Sequence, residues 1–284
     1  MTSILPPSAD DVRRDVERAL AEDIGSGDAT ASLIDRGATA SASVITREAA
    51  ILCGRPWFDA CFLALDAGVR IEWQAEEGAA VDAGQQLCSL HGNARALLTG
   101  ERCALNFLQT LSATATITAR HVAAVRGTRA VILDTRKTLP GLRVAQKYAV
   151  RCGGGANHRI GLFDAILIKE NHIAAAGSLT AAVRNARAQS PALLLEVEVE
   201  TFAELEEALA AGTVDRIMLD EFSLDDMRSA VALVAGRVAL EASGSVDLAG
   251  LRAIAETGVD YISIGALTKH VRAIDLSLRV EAIA

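Results

Sequence analysis

Residues 153–172, with the sequence GGGANHRIGLFDAILIKENH, hold the densest set of side chains able to do chemistry. Three glycines lead into His158 and Arg159, and an apolar run then ends in Lys169. Arginine offers bidentate hydrogen bonds to carboxylates and phosphates, whereas lysine is a compact point charge with a tunable pKa. Only four of the 28 basic residues are lysines, so a lysine that ends an apolar run is a candidate functional group.

The distribution of charge indicates a small anionic ligand. The chain has a formal net charge of −8, which argues against nucleic-acid binding through a broad basic face. Residues 136–172 nevertheless carry seven Lys or Arg side chains against two acidic ones. Such a cationic region suits carboxylates or phosphates, although chance clustering on a solvated face would give the same count.

The composition bounds the class of protein. A hydrophobic fraction of 51% and a charged fraction of 23% over 284 residues are typical of a soluble globular protein. We find no apolar run of membrane-spanning length and no secretion signal at the start of the sequence. Five cysteines lack CxxC spacing, and we interpret them as reduced, packed thiols of a cytoplasmic protein.

The elements that must position the basic residues repeat from residue 130 onward. Short apolar runs alternate with helical patterns, which predicts a parallel sheet covered by helices. The runs are 130–137, 164–170, 193–200, 215–221, 238–245 and 261–266, and the helical patterns cover 178–188, 202–211, 224–234 and 247–257. Since six strands fall short of eight, we expect an α/β fold with an incomplete TIM-type barrel.

The residues before this repeat predict a different architecture. The patterns indicate a helix over 8–21, a small and mostly antiparallel sheet over 40–90, and a long helix over 100–125. Arg102 would lie in the first turn of that long helix, where the helix dipole disfavours a cation. We therefore expect Arg102 to face a carboxylate or an external anion.

Each predicted barrel strand ends in polar or small residues. The strand-end residues are Arg136 and Lys137, Lys169, Glu198, Asp220, Ser243 and Gly244, and Gly265. The active sites of parallel α/β barrels lie at this end of the strands, so the pattern predicts one shared site. Glu198 and Asp220 would suit Mg²⁺ together with ligand oxygens, and Ser243–Gly244 and Gly265 match the phosphate-binding position of barrels.

Several residues keep two interpretations. His158 is either a structural histidine or a ligand contact, and His172 has no assigned role. Glu196, Glu198 and Glu200 share one face of a predicted strand, so spacing alone does not choose among them. Cys152 lacks an accompanying base, so we do not interpret it as a nucleophile.

Over nearly its full length the chain resembles the quinolinate phosphoribosyltransferase family. The motifs that carry the resemblance are EDIGSGDATA (22–31), GER (100–102), DTRKT (134–138), CGGGANHRIGLFDAILIKENH (152–172), EVEVE (196–200), MLDEF (218–222), EASGS (241–245) and SIGALTKH (263–270). This resemblance implies an N-terminal α/β sandwich domain over 1–112, joined by a C-terminal helix at about 270–284, and a catalytic incomplete barrel over 113–269. It also implies a homodimer, with larger assemblies left open, in which Arg102 enters the neighbouring subunit's site and binds a substrate carboxylate.

The reaction that the resemblance implies converts quinolinate and phosphoribosyl pyrophosphate, with Mg²⁺, to nicotinate mononucleotide, pyrophosphate and CO₂ in de novo NAD synthesis. The residues that match the family's quinolinate-binding set are Arg102, Thr135, Arg136, His158, Arg159 and Lys169, with Lys137 between the two substrates. Glu198 and Asp220 match residues around the ribose and its metal, directly or through water. Ser243, Gly244 and Ser245, with Ile264, Gly265 and Ala266, match the 5′-phosphate loops. Lys137, Lys169, Glu198 and Asp220 are the candidate catalytic residues.

Three rival functions fit parts of the pattern. A nicotinate phosphoribosyltransferase, or the paralogue associated with molybdenum transport, would share the barrel but bind a different acid. A Schiff-base aldolase would explain Lys169 but not the cations around it. A lipoyl-like or other anion-binding module would lack a modifiable lysine, because no lysine precedes Lys137.

Overall fold

The computed structural model describes residues 6–283. The first five residues of the predicted N-terminal domain and Ala284 of the predicted C-terminal helix lie outside the described residues. The helices are α1 (Ala9–Ile24), α2 (Arg55–Leu65), α3 (Ala94–Ala124), α4 (Arg143–Cys152), α5 (Glu170–Ala176), α6 (Leu179–Gln189), α7 (Phe202–Ala211), α8 (Leu224–Val234), α9 (Leu251–Ala255) and α10 (Ala266–Lys269), with one 3₁₀ turn at Ala31–Leu33.

The strands belong to two main sheets and one short pair. They are β1 (Thr39–Thr46), β2 (Ala50–Ile51), β3 (Arg70–Trp73), β4 (Ala80–Val81), β5 (Gln86–Asn93), β6 (Val131–Leu133), β7 (Ala165–Ile168), β8 (Leu194–Val199), β9 (Arg216–Asp220), β10 (Ala239–Ser243), β11 (Tyr261–Ser263) and β12 (Leu276–Ile283). Among the described residues, no helix combines the length and the apolarity needed to cross a membrane.

The chain divides into two compact units. Unit 1 comprises the described parts of Met1–Ala119, Thr138–Gly154 and Leu267–Ala284, and unit 2 comprises Arg120–Lys137 and Gly155–Ala266. The predicted boundary at residues 112/113 falls inside α3, and the segment that carries α4 belongs to unit 1. The helix α3 is continuous from Ala94 to Ala124, so no break in secondary structure marks the predicted boundary.

Unit 1 contains a four-stranded antiparallel sheet with the strand order β12-β1-β5-β3. The mostly antiparallel sheet predicted over 40–90 is therefore confirmed. The predicted N-terminal helix is confirmed as well, and the side chain of Ser8 caps it by accepting a hydrogen bond from the backbone of Asp11. Trp57, Phe58 and Phe62 from α2 are fully buried and form the aromatic part of this core.

The predicted C-terminal helix is wrong. Residues 276–283 form β12, which pairs antiparallel with β1 from Thr46↔Leu276 to Ala40↔Ile283. Apolar residues at Leu276, Leu278 and Val280 repeat with a period of two, which is the strand period rather than the helix period. The segment does join the N-terminal unit, as the resemblance implied.

The predicted start of the long helix is also wrong. The helix α3 begins at Ala94, so Arg102 lies in its interior and not in its first turn. Gly100, at which the predicted helix began, lies inside α3. A Cβ atom there would come within 2.9 Å of the Phe62 ring, so glycine permits close packing of α2 on α3.

Unit 2 is built on a six-stranded, all-parallel sheet with the order β6-β11-β10-β9-β8-β7. All six predicted strands are confirmed, and α6, α7, α8 and a shorter α9 confirm the four predicted helices. The first strand pairs with the last, whereas β6 and β7 do not pair in this sheet, so the barrel is incomplete as predicted. Along β8, Leu195, Val197 and Val199 are buried on one face, while Glu196 and Glu198 alternate with them on the other.

Candidate active site

A pocket of about 170 Å³ lies at the C-terminal ends of the barrel strands, entirely within unit 2. Its lining residues are Thr135, Arg136, Lys137, His158, Arg159, Leu167, Lys169, Glu198, Met218, Ser243 and Ser263. Eight of these residues were predicted from the sequence, and the structure brings those eight together. Leu167, Met218 and Ser263 complete the wall.

Two guanidinium groups share the pocket. Burial, together with the positive charge of Arg136, lowers the pKa of Arg159. Like charges held together in a partly desolvated pocket disfavour the charged state of each group. An anion that binds between Arg136 and Arg159 relieves this repulsion, and a planar dicarboxylate offers each guanidinium a bidentate partner.

Lys169 is held in the pocket by two contacts. Its ammonium group forms an ion pair with Oε2 of Glu198, which is buried. Its backbone N–H donates to Nδ1 of His172 at 3.0 Å, and the backbone N–H of His172 donates to the carbonyl of Lys169 at 2.8 Å at the start of α5. His172 therefore fixes the point at which the chain leaves β7 and enters α5, which is a role that the sequence did not reveal.

The backbone of the His158–Arg159 segment is anchored by Asp134, which is fully buried. Asp134 Oδ1 accepts from the backbone N–H of His158 at 2.9 Å, and Oδ2 accepts from the side-chain amide of Asn157 at 2.6 Å. An isolated parallel β-bridge between Leu133 and Ala156 connects β6 to this segment. Through these hydrogen bonds, Asp134 holds the segment after β6, which contains Arg136, against the loop that contains Arg159.

His158 points into the barrel interior. Its Nδ1 accepts the backbone N–H of Arg159 at 2.8 Å, so the ring proton lies on Nε2. That Nε2 lies 2.7 Å from Oε2 of Glu196 and 3.7 Å from Oε1 of Glu241. The imidazole therefore links the pocket wall to two buried carboxylates that the sequence analysis did not assign to the site.

These carboxylates and Arg216 form a polar cluster inside the barrel. Nη1 of Arg216 donates to Oε2 of Glu241 at 2.8 Å, and its guanidinium stacks 4.1 Å from the centre of the Tyr261 ring. Burial raises the pKa of Glu241 to about 7, and the charge of Glu196 acts in the same direction. Burial also raises the pKa of Glu196, against the attraction of Arg216.

The structure separates the three glutamates that the sequence could not distinguish. Glu196 is fully buried in the polar cluster, Glu198 lines the pocket, and Glu200 is exposed beyond the end of β8. Glu198 is in register with Met218 of β9, so Asp220, two residues further along β9, has its side chain on the same face of the sheet. Two carboxylates on neighbouring strands therefore face the same side of the rim.

We call residues 243–245 and 264–266 the two rim loops. Lys137 packs its aliphatic stem against Gly265 of the second loop, where a Cβ atom would lie 2.8 Å from Cδ of Lys137. The backbone N–H of Lys137 donates to Oγ1 of Thr135 at 3.1 Å. Ile264 is buried beside Gly265, and Ala266 begins α10.

The side chain of Glu221 covers the first rim loop. Its backbone has a φ of 53°, which is uncommon for a residue other than glycine. Oε1 of Glu221 accepts from the hydroxyl of Ser245 at 3.3 Å, and a Cβ atom on Gly244 would lie 2.9 Å from the Glu221 carboxylate. A carboxylate thus covers the loop at which the sequence predicted a phosphate.

Arg102 belongs to unit 1 and is described with it. Its side chain is 59% exposed and has Glu101 as a neighbour at 3.7 Å. It is therefore available on the surface of that unit.

Four contributors to the site were not predicted from the sequence, namely Asp134, Arg216, Glu221 and Glu241. Glu196 was predicted only as one of three alternatives with Glu198 and Glu200. Asp134 directly precedes the basic strand end, and this adjacency was a usable signal. The alternation in EVEVE placed Glu196 on the face of Glu198, but only strand register shows that Arg216 lies opposite Glu196. No sequence signal indicates the left-handed backbone of Glu221.

The barrel and its basic rim pocket define an α/β-barrel protein that binds small polyanions at the C-terminal ends of its strands. Residues 28–112 match the N-terminal domain model, and residues 114–279 the C-terminal domain model, of quinolinate phosphoribosyl transferase. The chain belongs to the quinolinate phosphoribosyl transferase family.

Individual relatives agree with this assignment. A nicotinate-nucleotide pyrophosphorylase [carboxylating] from Mycobacterium leprae is 43% identical over 279 residues, which cover 95% of this chain and 97% of the relative. A probable enzyme of the same name from Bacillus subtilis is 43% identical over 260 residues, covering 91% and 90%. The structure of the nicotinate-nucleotide pyrophosphorylase from Francisella tularensis superimposes with a TM-score of 0.94 at 49% identity, covering 99% of this chain and 100% of that one.

Proposed function

We propose that the protein is a quinolinate phosphoribosyltransferase that forms nicotinate mononucleotide, pyrophosphate and CO₂ from quinolinate and phosphoribosyl pyrophosphate in NAD biosynthesis. The observation that carries this proposal is the pair of guanidinium groups in one pocket with Lys169, in a chain that matches the family over both of its domains. Quinolinate has two adjacent carboxylates, which match this arrangement of cations.

The pocket supports a mechanism that is mainly positional. Arg136 and Arg159 bind the two ring carboxylates, and Lys169, oriented by Glu198, completes the cationic wall. The ring nitrogen of quinolinate is thereby presented to the anomeric carbon of the second substrate, and pyrophosphate leaves as the new bond forms. Glu198 and Asp220 stabilise the positive charge that develops on the ribose.

Decarboxylation places a smaller demand on the protein. Once the ring nitrogen is ribosylated, the carbanion left by CO₂ is stabilised as an ylide by the adjacent positive nitrogen, and it then takes up a proton from water to give nicotinate mononucleotide. The cations of the pocket hold the ring in place during this step.

We propose a magnesium ion near Glu198 and Asp220. Both carboxylates face one side of the rim, which fits a hard cation that prefers oxygen ligands. Glu198 is already paired with Lys169, so these carboxylates would hold the ion through water or together with substrate oxygens. When bound, Mg²⁺ would neutralise charge on the departing pyrophosphate.

The two rim loops are the proposed site of the substrate's 5′-phosphate. Gly244 and Gly265 allow the backbone to approach the ligand closely, and Ser243 and Ser245 supply hydroxyl donors. In the structure the Glu221 carboxylate covers the first loop, so it must move aside before a phosphate binds there.

A release assay with carboxyl-labelled quinolinate tests the reaction. We expect labelled CO₂ only when phosphoribosyl pyrophosphate and Mg²⁺ are both present, and only a small residual rate in Lys169→Ala. Glu256→Gln, which changes an exposed carboxylate just after the end of α9, is the control variant and should keep the wild-type rate. Turnover of nicotinate without turnover of quinolinate would indicate the rival transferase, and borohydride trapping of a substrate on Lys169 would indicate the rival aldolase.

We also propose a homodimer in which Arg102 enters the partner's pocket, and a cytoplasmic location consistent with five free cysteines. Arg102→Ala should raise the KM for quinolinate and leave that for phosphoribosyl pyrophosphate largely unchanged. An equal mixture of Arg102→Ala and Lys169→Ala subunits should have about a quarter of wild-type activity. Half of the randomly formed dimers are mixed, and one of the two sites in each mixed dimer is intact.

The control for this mixing experiment is Arg102→Ala combined with an Arg102→Ala/Lys169→Ala double variant. No intact site can form in that mixture, so it should show no recovery when quinolinate is well below the raised KM of Arg102→Ala. A lack of recovery in verified mixed dimers of the single variants would contradict the shared site.

A further inference from the structure

Three potential metal ligands converge inside unit 1, and none of them lines the pocket of unit 2. They are the thiols of Cys53 and Cys152 and the carboxylate of Glu77, and one ligand atom of each lies within 4.8 Å of the others. Cys53 lies between β2 and α2, Glu77 lies in the turn between β3 and β4, and Cys152 ends α4. We propose that Cys53, Glu77 and Cys152 form a structural site for one divalent metal ion of the zinc class.

The ligand set determines the class of ion. Thiolate sulfur favours soft or borderline ions such as Zn²⁺ over Mg²⁺ and Ca²⁺. Zinc bonds to sulfur at about 2.3 Å and to carboxylate oxygen at about 2.0–2.2 Å, so neighbouring ligand atoms in a tetrahedral site lie roughly 3.3–3.8 Å apart. Ligand atoms that already lie within 4.8 Å of one another need to move little to close around such an ion. The fourth position suits the hydroxyl of the buried Tyr148 or a water molecule.

The carboxylate of Glu77 is oriented by backbone donors. Oε1 accepts from the N–H of Gly54 at 2.8 Å, and Oε2 accepts from the N–H of Arg55 at 3.1 Å. Tyr148 and Cys53 also form side-chain hydrogen bonds with this carboxylate. Metal-binding carboxylates usually have such supporting hydrogen bonds, which hold the oxygens ready for the ion.

The two cysteines are held on rigid backbone. The N–H of Cys53 donates to Oγ of Ser112 at 2.9 Å, and that hydroxyl donates back to the carbonyl of Cys53 at 3.1 Å. After Cys152, a Cβ atom on Gly153 would lie 2.4 Å from the carbonyl oxygen of Ala115, so the end of α4 packs tightly on α3. The site is therefore preorganised by the folded unit.

Charge also favours an ion. The N-terminal end of α2, whose first amides bind Glu77, stabilises negative charge at the same place. Since Cys53 is completely buried, the ion would be enclosed and structural rather than catalytic.

Cobalt titration of the full-length, reduced and metal-stripped protein tests the proposal without relying on activity. We expect one equivalent of Co²⁺ to give a sulfur-to-cobalt charge-transfer band, and Zn²⁺ to displace it. Cys53→Ala and Cys152→Ala should each weaken the band and lower Co²⁺ affinity at least tenfold. Cys61→Ala, which removes a buried thiol of α2 outside the cluster, should leave the band unchanged.

A measurement on the wild-type protein keeps the proposal testable even if the cysteine variants fail to fold. X-ray absorption of the zinc-loaded wild type should show two sulfur neighbours, and zinc should raise its thermal midpoint. The absence of a charge-transfer band in the reduced wild type would overturn the proposal, as would a band that persists unchanged in both cysteine variants. A mapped Cys53–Cys152 disulfide in freshly purified protein would overturn it as well.

Discussion

Replacing Glu241 by glutamine should change how the stability of unit 2 depends on pH. Glu241 is fully buried, and burial together with the charge of Glu196 raises its pKa from 4.5 to about 7. A carboxyl group whose pKa is raised by folding stabilises the folded state fully below its unfolded pKa. That contribution is lost as the pH rises through the folded pKa.

The size of the effect follows from the same values. One pKa unit corresponds to about 1.4 kcal/mol, so the shift from 4.5 to about 7 is worth about 3 kcal/mol. The wild type should lose this amount of unfolding free energy between about pH 4.5 and pH 7. Glutamine cannot ionise and keeps an oxygen that accepts from Arg216, so Glu241→Gln should gain stability relative to the wild type as the pH rises.

Urea unfolding followed by far-UV circular dichroism at several pH values between 5 and 8 measures this difference. Subtracting the wild-type curve from the variant curve cancels the titrating groups outside the polar cluster. Both tryptophans, Trp57 and Trp73, belong to unit 1, so their fluorescence gives a reference for that unit in the same sample. A difference that stays constant with pH, or that falls as the pH rises, would refute the reasoning.

The remaining predictions concern the rim of the pocket. Asp134→Asn should lower kcat/KM by about tenfold to a hundredfold, because a charge-assisted hydrogen bond to the backbone of His158 is worth about 1.5–3 kcal/mol. Glu221→Gln should lower the KM for phosphoribosyl pyrophosphate about fivefold, because it removes about 1 kcal/mol of repulsion from the first rim loop. His172→Ala should lower kcat/KM about fivefold without lowering the thermal midpoint, because it removes one exposed acceptor from the backbone of Lys169.

Steady-state kinetics with each substrate varied in turn checks all three variants. Glu256→Gln serves again as the control for removal of an exposed carboxylate. Wild-type kinetics in Asp134→Asn would show that the anchor is dispensable, and an unchanged or higher KM in Glu221→Gln would show that its carboxylate does not compete with phosphate. A His172→Ala protein that melts well below the wild type would point to a general structural role.

The sequence predicted the barrel better than it predicted the contacts inside it. Near-continuous apolar runs located every strand of unit 2, and the polar residue after each run located the rim, because parallel strands deliver their ends to one edge. The polar cluster of Glu196, Arg216 and Glu241 was not predictable in this way. It depends on which strands are neighbours and in what register, and local pattern does not encode either.

In unit 1 the errors concern the secondary structure itself. The period-two pattern of Leu276, Leu278 and Val280 is present in the sequence and is typical of a strand. The helix expected there came from the family resemblance and not from this pattern. The predicted long helix started at Gly100, yet α3 runs through this residue, and the Phe62 ring packs where a side chain would be. In both cases a tertiary contact decides the local structure.

The pairing of β12 with β1 has a consequence for how the protein is made. The partner residues Thr46 and Leu276 are more than two hundred positions apart, so the sheet of unit 1 cannot be completed until Leu276 and the rest of β12 have left the ribosome. Until then, β1 presents an open edge that can pair with another nascent chain. A chain stopped before Leu276 would therefore keep that open edge permanently.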